Sequence, residues 1–185
     1  AYDEELVRRQ FYWNLFESYL TNTNGNGRLD ILLMMNNVAA FSPDVLNIPL
    51  FNGGPGISLK QADIAEANGI EIGDAHDAIA DCKLMIGLLK QINAKKPELI
   101  DFFLSISTKP GVQAAVQQPG FLGLGEVFRR EIFKYPVVPC GNKAPNDLMF
   151  FDLSFEPEEI FEMDTQEIYS LVQKPSKSGP FKKYG

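Results

Sequence analysis

Histidine occurs once in this chain of 185 residues, cysteine twice and tryptophan once. Cys82 and Cys140 stand 58 positions apart without a neighbouring Cys or His, so neither a zinc cluster nor a disulfide framework is indicated. Both read as buried or inert thiols. Long hydrophobic runs are also missing. "ILLMM" and "LMIGLL" fall far short of the roughly 20 apolar residues that span a bilayer. No basic leader followed by an apolar stretch opens the chain, which makes the expected location cytoplasmic, with no membrane partner. Basic residues are in deficit: the formal charge is −7, which argues against a protein that coats duplex DNA by bulk electrostatics and leaves room for a local basic groove. No internal repeat or low-complexity segment is present.

What is there is the composition of a folded protein, 45% apolar and 22% charged. Asp3–Leu20 carries Leu6, Phe11, Trp13, Leu15, Phe16 and Tyr19 at three- and four-residue steps, predicting a helix whose Phe11, Trp13 and Phe16 enter the core. "TNTNGNG" ends it, and a second helical pattern runs from Arg28 to Phe41 until Ser42 and Pro43. "FNGGPG" is a loop. Ser58 is placed to cap a helix that stops at Asn68 and Gly69. Asp77–Asn93 has a broad apolar helical face, and Pro97 opens "PELIDFFLSIS". After Thr108 the helical period gives way to short β-type runs, with "KYPVVPC" and "NDLMFFDLSFEP" predicting neighbouring strands and "EEIFEMDTQEIYSLVQK" containing a short helix. "PSKSGPFKKYG" reads as an exposed or severed polar end. Residues 1–108 carry 8 basic and 14 acidic side chains and residues 109–185 carry 9 and 10, so the acidity sits in the first part.

The chemistry-bearing stretch is "GDAHDAIADC", residues 73–82. Asp77 and Asp81 are four apart and share a helix face, Asp74 can cap that helix, and His76 lies at its first turn. A carboxylate there suits a hard cation such as Mg²⁺ or Mn²⁺, and an imidazole beside it suits removal of a proton from water. Acidic residues in a first helical turn are equally what the helix dipole favours without any metal. Spacing alone leaves both readings open.

"ISLKQADIAEANGIEIGDAHDAIADCKLMIGLLKQINAKKPELIDFFL" resembles the third motif region of bacterial exodeoxyribonuclease I, a DEDDh 3′-5′ exonuclease family with a ribonuclease H-like fold. "AYDEELVRRQFYWNLFESY" resembles that family's second motif region, and "GRLDILLMMNNVAAFSPDVLNIP" the helix and loop after it. "YPVVPCGNKAPNDLMFFDLSFEPEEIFEMD" is similar, more loosely, to the opening of its SH3-like domain. The resemblance implies an α+β chain: residues 1–108 as the mainly helical C-terminal part of an exonuclease domain, and residues 109–185 as the start of an SH3-like accessory domain.

Carried over by residue, the resemblance implies Asp3 and Asp81 as metal ligands and His76 as general base, with Lys60 near a family arginine that contacts substrate. Arg8, Arg9, Tyr12 and Tyr19 are further DNA-contact candidates, because their tips are polar and aromatic rings can stack on bases. "FRREIFK", with Arg129, Arg130 and Lys134, faces either phosphate or solvent. The implied activity is removal of nucleotides from single-stranded DNA by a monomer using two Mg²⁺ or Mn²⁺ ions, with single-stranded DNA-binding protein as a further partner. Two-metal hydrolysis needs more carboxylates than Asp3 and Asp81. The family's others come from an upstream Asp-x-Glu strand. Asp3 and Glu5 do not replace it, since residues two apart on a helix diverge by about 200°. The chain is therefore expected to be an inactive piece of a longer nuclease. The competing readings are a noncatalytic nucleic-acid or protein-binding module and another DEDDh nuclease acting on RNA.

Overall fold

The computed structural model describes residues 2–71, 78–144, 147–173 and 179–184, with the backbone alone at 2, 3, 143, 183 and 184. Helices α1 (Tyr2–Trp13), α2 (Ile31–Phe41), α3 (Gln61–Ala67), α4 (Ala78–Lys95), α5 (Pro97–Ser105) and α6 (Lys109–Val116) precede strands β1 (Leu122–Phe128), β2 (Glu131–Ala144) and β3 (Asp147–Asp152). Two short helices, α7 (Glu158–Phe161) and α8 (Thr165–Gln173), lead to β4 (Phe181–Tyr184). The strands form one antiparallel sheet in the order β1-β2-β3-β4. This is the α+β architecture expected. Among the described residues no helix is long and apolar enough to cross a membrane.

The helical core is built on four-residue spacing. Leu84, Leu88 and Ile92 bury one stripe of α4 against Met34, Met35 and Val38 of α2 and Ile64 of α3. Each such side chain contributes about 1.5–3 kcal/mol when fully removed from water. Asp30 caps α2, its carboxylate accepting from the Leu32 and Leu33 amides. Gly69, at φ +67°, closes α3 as expected from the Asn-Gly stop, with the Ile70 amide returning to the Ala65 carbonyl. A second core joins Met149 and Phe151 of β3 to Phe181 of β4, covered by Ile168, Leu171 and Val172 of α8. Asp164 and Glu167 start α8 as a reciprocal pair, each side chain accepting an amide from the other end of the first turn.

Several expectations fail for identifiable reasons. The first helix ends at Trp13 rather than Leu20, because Leu15 takes φ +60° while the Phe16 amide bonds the Phe11 carbonyl and the Leu15 amide bonds that of Tyr12. This is a Schellman closure with leucine where glycine is usual, sealed by an edge contact between Phe11 and Phe16. It turns Trp13 and Phe16 outward, 67% and 68% exposed, so neither enters the core. Lys60, not Ser58, occupies the cap position of α3, while the Ser58 hydroxyl donates to Asp63. Helix α6 is an addition: Thr108 caps it, and Pro110 sits in the first turn where its missing N–H costs nothing. The terminal "FKKY" is a strand, not a polar tail, and Lys182 is buried in it. Both cysteines are exposed, Cys82 on the outer side of α4 and Cys140 at a register shift in β2.

The helices and the sheet meet where α2 crosses β1. The Gly125 amide donates to Asn37 Oδ1 at 3.0 Å, and a Cβ on Gly125 would lie 2.7 Å from the Ala40 methyl and 2.9 Å from the Asn36 carbonyl oxygen. Gly125→Val should cost about 1–3 kcal/mol through overpacking. The corresponding fall in Tm is roughly 2–12 °C. An unchanged melting curve would show that the crossing is looser than these distances.

Candidate nuclease site

Asp81 lies in the first turn of α4 with its side chain exposed, and its backbone carbonyl accepts from Gln61 Nε2 at 2.7 Å. That bond ties the first turn of α3 to the first turn of α4. Lys60, exposed, is the residue immediately before Gln61, at the cap position of α3. His76, Asp74 and Asp77 lie outside the described residues.

Gln61 and Glu4 of α1 both line an apolar cleft of about 1130 Å³. The Glu4 carboxylate pairs with Arg8 Nη2 at 2.7 Å and with Arg28 Nη1. The Glu4 side chain is only 15% exposed, so this double pairing pins the first turn of α1 to the loop that leads into α2. Asp3 is the preceding residue on α1; its carboxylate is outside the described atoms. Glu4 and Arg28 were not singled out in the sequence. The only signal was the four-residue Glu4/Arg8 spacing, since Arg28 is 24 residues away.

Arg8 is drawn into the same network. Its Nη2 donates to Asn22 Oδ1 at 3.2 Å, and its guanidinium lies 5.1 Å from the centre of the Tyr19 ring. Tyr19 is 57% exposed and Tyr12 71%. The structure thus groups Arg8 with Tyr19 on one side of α1, and ties Gln61, the neighbour of Lys60, to the Asp81 turn at the α3–α4 junction.

As a cation site the described atoms are insufficient. Glu4 is engaged by two arginines, Asp81 is a single exposed carboxylate, and among the described residues no group of three His, Cys, Asp or Glu side chains could hold a metal. One carboxylate does not hold two ions.

No family model matches the chain. It is 36% identical over 109 residues to exodeoxyribonuclease I of Buchnera aphidicola subsp. Acyrthosiphon pisum, covering 58% of this chain and 26% of that protein. It is 32% identical over 120 residues to exodeoxyribonuclease I of Escherichia coli K12, covering 64% and 25%. The chain therefore spans about a quarter of the length of these curated relatives. Its fold is similar to that of a moderately thermophilic exonuclease I from Methylocaldum szegediense, with TM-score 0.74 at 24% identity over 98% of this chain and 41% of the other. E. coli exonuclease I in complex with a dT13 oligonucleotide gives TM-score 0.71 at 24% identity, over 98% and 42%. A complex of exonuclease I with SSB-Ct gives 0.67 at 24%, over 98% and 41%.

Proposed function

We propose that this chain is part of a metal-dependent 3′-5′ exodeoxyribonuclease that removes nucleotides from single-stranded DNA. The observation that carries the reading is its 32–36% identity, over 109–120 residues, to proteins named exodeoxyribonuclease I. Residues 1–108 are assigned to the helical part of a ribonuclease H-like domain and residues 109–185 to the start of an SH3-like domain. The cleft supports the first assignment. Helices of a ribonuclease H-like domain pack on a sheet, and α1, α2 and α4 turn Val7, Phe11, Met35 and Met85 towards an opening that no described strand fills.

In this reading Asp3 and Asp81 provide oxygen ligands for Mg²⁺ or Mn²⁺, and His76 takes the proton of the attacking water. Lys60, Arg8, Tyr12 and Tyr19 hold the strand. Lys60 acts as a point charge on phosphate, without the bidentate fork of arginine. The protein is a cytoplasmic monomer with single-stranded DNA-binding protein as partner.

The test is release of label from a 3′-labelled single-stranded oligonucleotide with Mg²⁺. The 185-residue chain alone should release none, because the described carboxylates do not complete a two-ion site. A full-length protein that supplies an upstream Asp-x-Glu strand should shorten the oligonucleotide from its 3′ end. Release by the isolated chain, abolished by His76→Ala, would show that the residues present suffice. A folded full-length protein that binds single strands and releases nothing would replace the nuclease reading with that of a binding module.

A further inference from the structure

Asparagine is followed by glycine at four places in the chain, 24–25, 26–27, 52–53 and 68–69. Such a pair holds its own electrophile and nucleophile. The backbone nitrogen after asparagine can attack the side-chain carbonyl carbon Cγ, and glycine has no Cβ to obstruct the approach. Hydroxide takes the proton of that nitrogen, the N–Cγ bond forms, and the bond from Cγ to the side-chain nitrogen breaks with release of ammonia. Water then opens the cyclic imide, at the Cγ carbonyl to leave aspartate or at the main-chain carbonyl to leave isoaspartate. The net change consumes water and releases ammonia. Whether a pair reacts in the folded chain depends on how freely its side chain and backbone reach the geometry of attack.

The fold treats the four pairs differently. Asn68 is held through both atoms of its amide: Nδ2 donates to the Asn47 and Ile64 carbonyls at 2.8 and 2.7 Å, and Oδ1 accepts the Asn47 amide at 2.9 Å. The attacking nitrogen of Gly69 is itself engaged, donating to the Glu66 carbonyl. Asn26 Nδ2 donates to the Leu20 carbonyl at 2.7 Å, and the Gly27 backbone packs so tightly on Ser107 that a Cβ there would collide with its hydroxyl. Asn24 and Gly25 are the central residues of a tight turn, at φ +57° and +79°, closed by the Asn26 amide on the Thr23 carbonyl at 3.0 Å. That turn must open before the pair can react.

Asn52 has none of these restraints. It stands with Gly53 at the exposed tip of the loop 51–56, which is closed by the Phe51 amide on the Gly56 carbonyl at 2.8 Å and by the Leu50–Ile57 bridge. Inside that closure, neither the Asn52 side chain nor the Gly53 amide makes a hydrogen bond among the described residues. Three glycines in six residues give the loop backbone the widest choice of conformations.

We propose that Asn52 is a site of spontaneous conversion to aspartate and isoaspartate in the folded protein, with Asn24 slower and Asn26 and Asn68 protected. The product adds a negative charge beside Phe51, whose ring the Arg130 guanidinium covers at 3.2 Å. Isoaspartate also inserts a methylene into the main chain of a loop whose two ends are fixed by the Leu50–Ile57 bridge. The site is independent of the nuclease reading.

The ranking is tested by holding the 185-residue chain in mildly alkaline buffer and following its peptides by mass spectrometry, with electron-transfer fragmentation to separate isoaspartate from aspartate. In the folded chain Asn52 should convert at least about tenfold faster than Asn26 or Asn68, because those two react only through local opening. In urea the four rates should come within about threefold of one another, since the turns and the helix stop are lost. Asn52→Gln gives up no hydrogen bond, so it should keep the wild-type Tm while removing most of the acidic form that appears first on isoelectric focusing. An acidic form that accumulates at the wild-type rate in Asn52→Gln would overturn the site. So would equal rates at Asn52 and Asn68 in the folded chain.

Discussion

With His76 as the proposed base, His76→Ala in the full-length protein should lower nucleotide release from a single-stranded oligonucleotide by about 10²–10⁴-fold, the range for losing a positioned general base. Asp81→Asn should produce a loss at least as large, since the amide keeps the shape of the carboxylate and removes the charge that a cation needs. Binding of the oligonucleotide should change little in either variant, because the contacts proposed for Lys60 and α1 are untouched. The Asp81 replacement is structurally mild: the side chain is exposed, and Gln61 holds the turn through the backbone carbonyl, which asparagine retains. Release within threefold of wild type in the Asp81→Asn protein would remove Asp81 from the metal set. A fall in Tm that accounted for the lost activity would do the same.

The second large effect belongs to the sheet. Lys182→Ala or Asp152→Ala should each destabilise the protein by about 3–5 kcal/mol, as expected when one partner of a buried ion pair is left without the other. Lys182 Nζ lies 3.2 Å from Asp152 Oδ2, and the two side chains are 5% and 3% exposed. The ammonium also donates to the Gly179 carbonyl at 2.9 Å and lies 4.3 Å from the centre of the Tyr135 ring. Asp152 Oδ1 accepts the Ser154 amide. Partial burial, with Glu126 adding to it, pushes the neighbouring Tyr135 hydroxyl up to about 12. Removing either charge strands its partner there. The double variant Lys182→Met/Asp152→Leu should recover most of the loss, because no charge is then left buried. Denaturant titration of the two single variants and the double one measures this. Additive losses would show that the pair is not coupled.

How far the fold could be read depended on whether the deciding contact was local. The α4 stripe of Leu84, Leu88 and Ile92, the Asn68-Gly69 stop and the β2–β3 pairing are written in neighbouring residues, and they appear as expected. Lys182 reads as a tail residue because its partner, Asp152, lies 30 positions back on another strand. The end of α1 was obscured by Leu15, which does the work of a glycine without the glycine's signature. At the candidate site the stretch "GDAHDAIADC" pointed to Asp81, and the structure adds the Gln61 tie and the Glu4–Arg28 clasp. Neither addition has a sequence pattern, because each joins residues 20 or more apart.

The crossing of α2 and β1 bears on how such a protein can change over generations. A sheet appended through a slack linker can be exchanged like a cassette. Here Gly125 presses its backbone against Ala40 and Asn36 and donates its amide hydrogen to Asn37 Oδ1. An α2 transplanted without its β1 would meet a side chain where this chain has none. The helical part and the sheet are thus bound to be inherited together, and a bulkier residue in either is tolerated only when the other gives way.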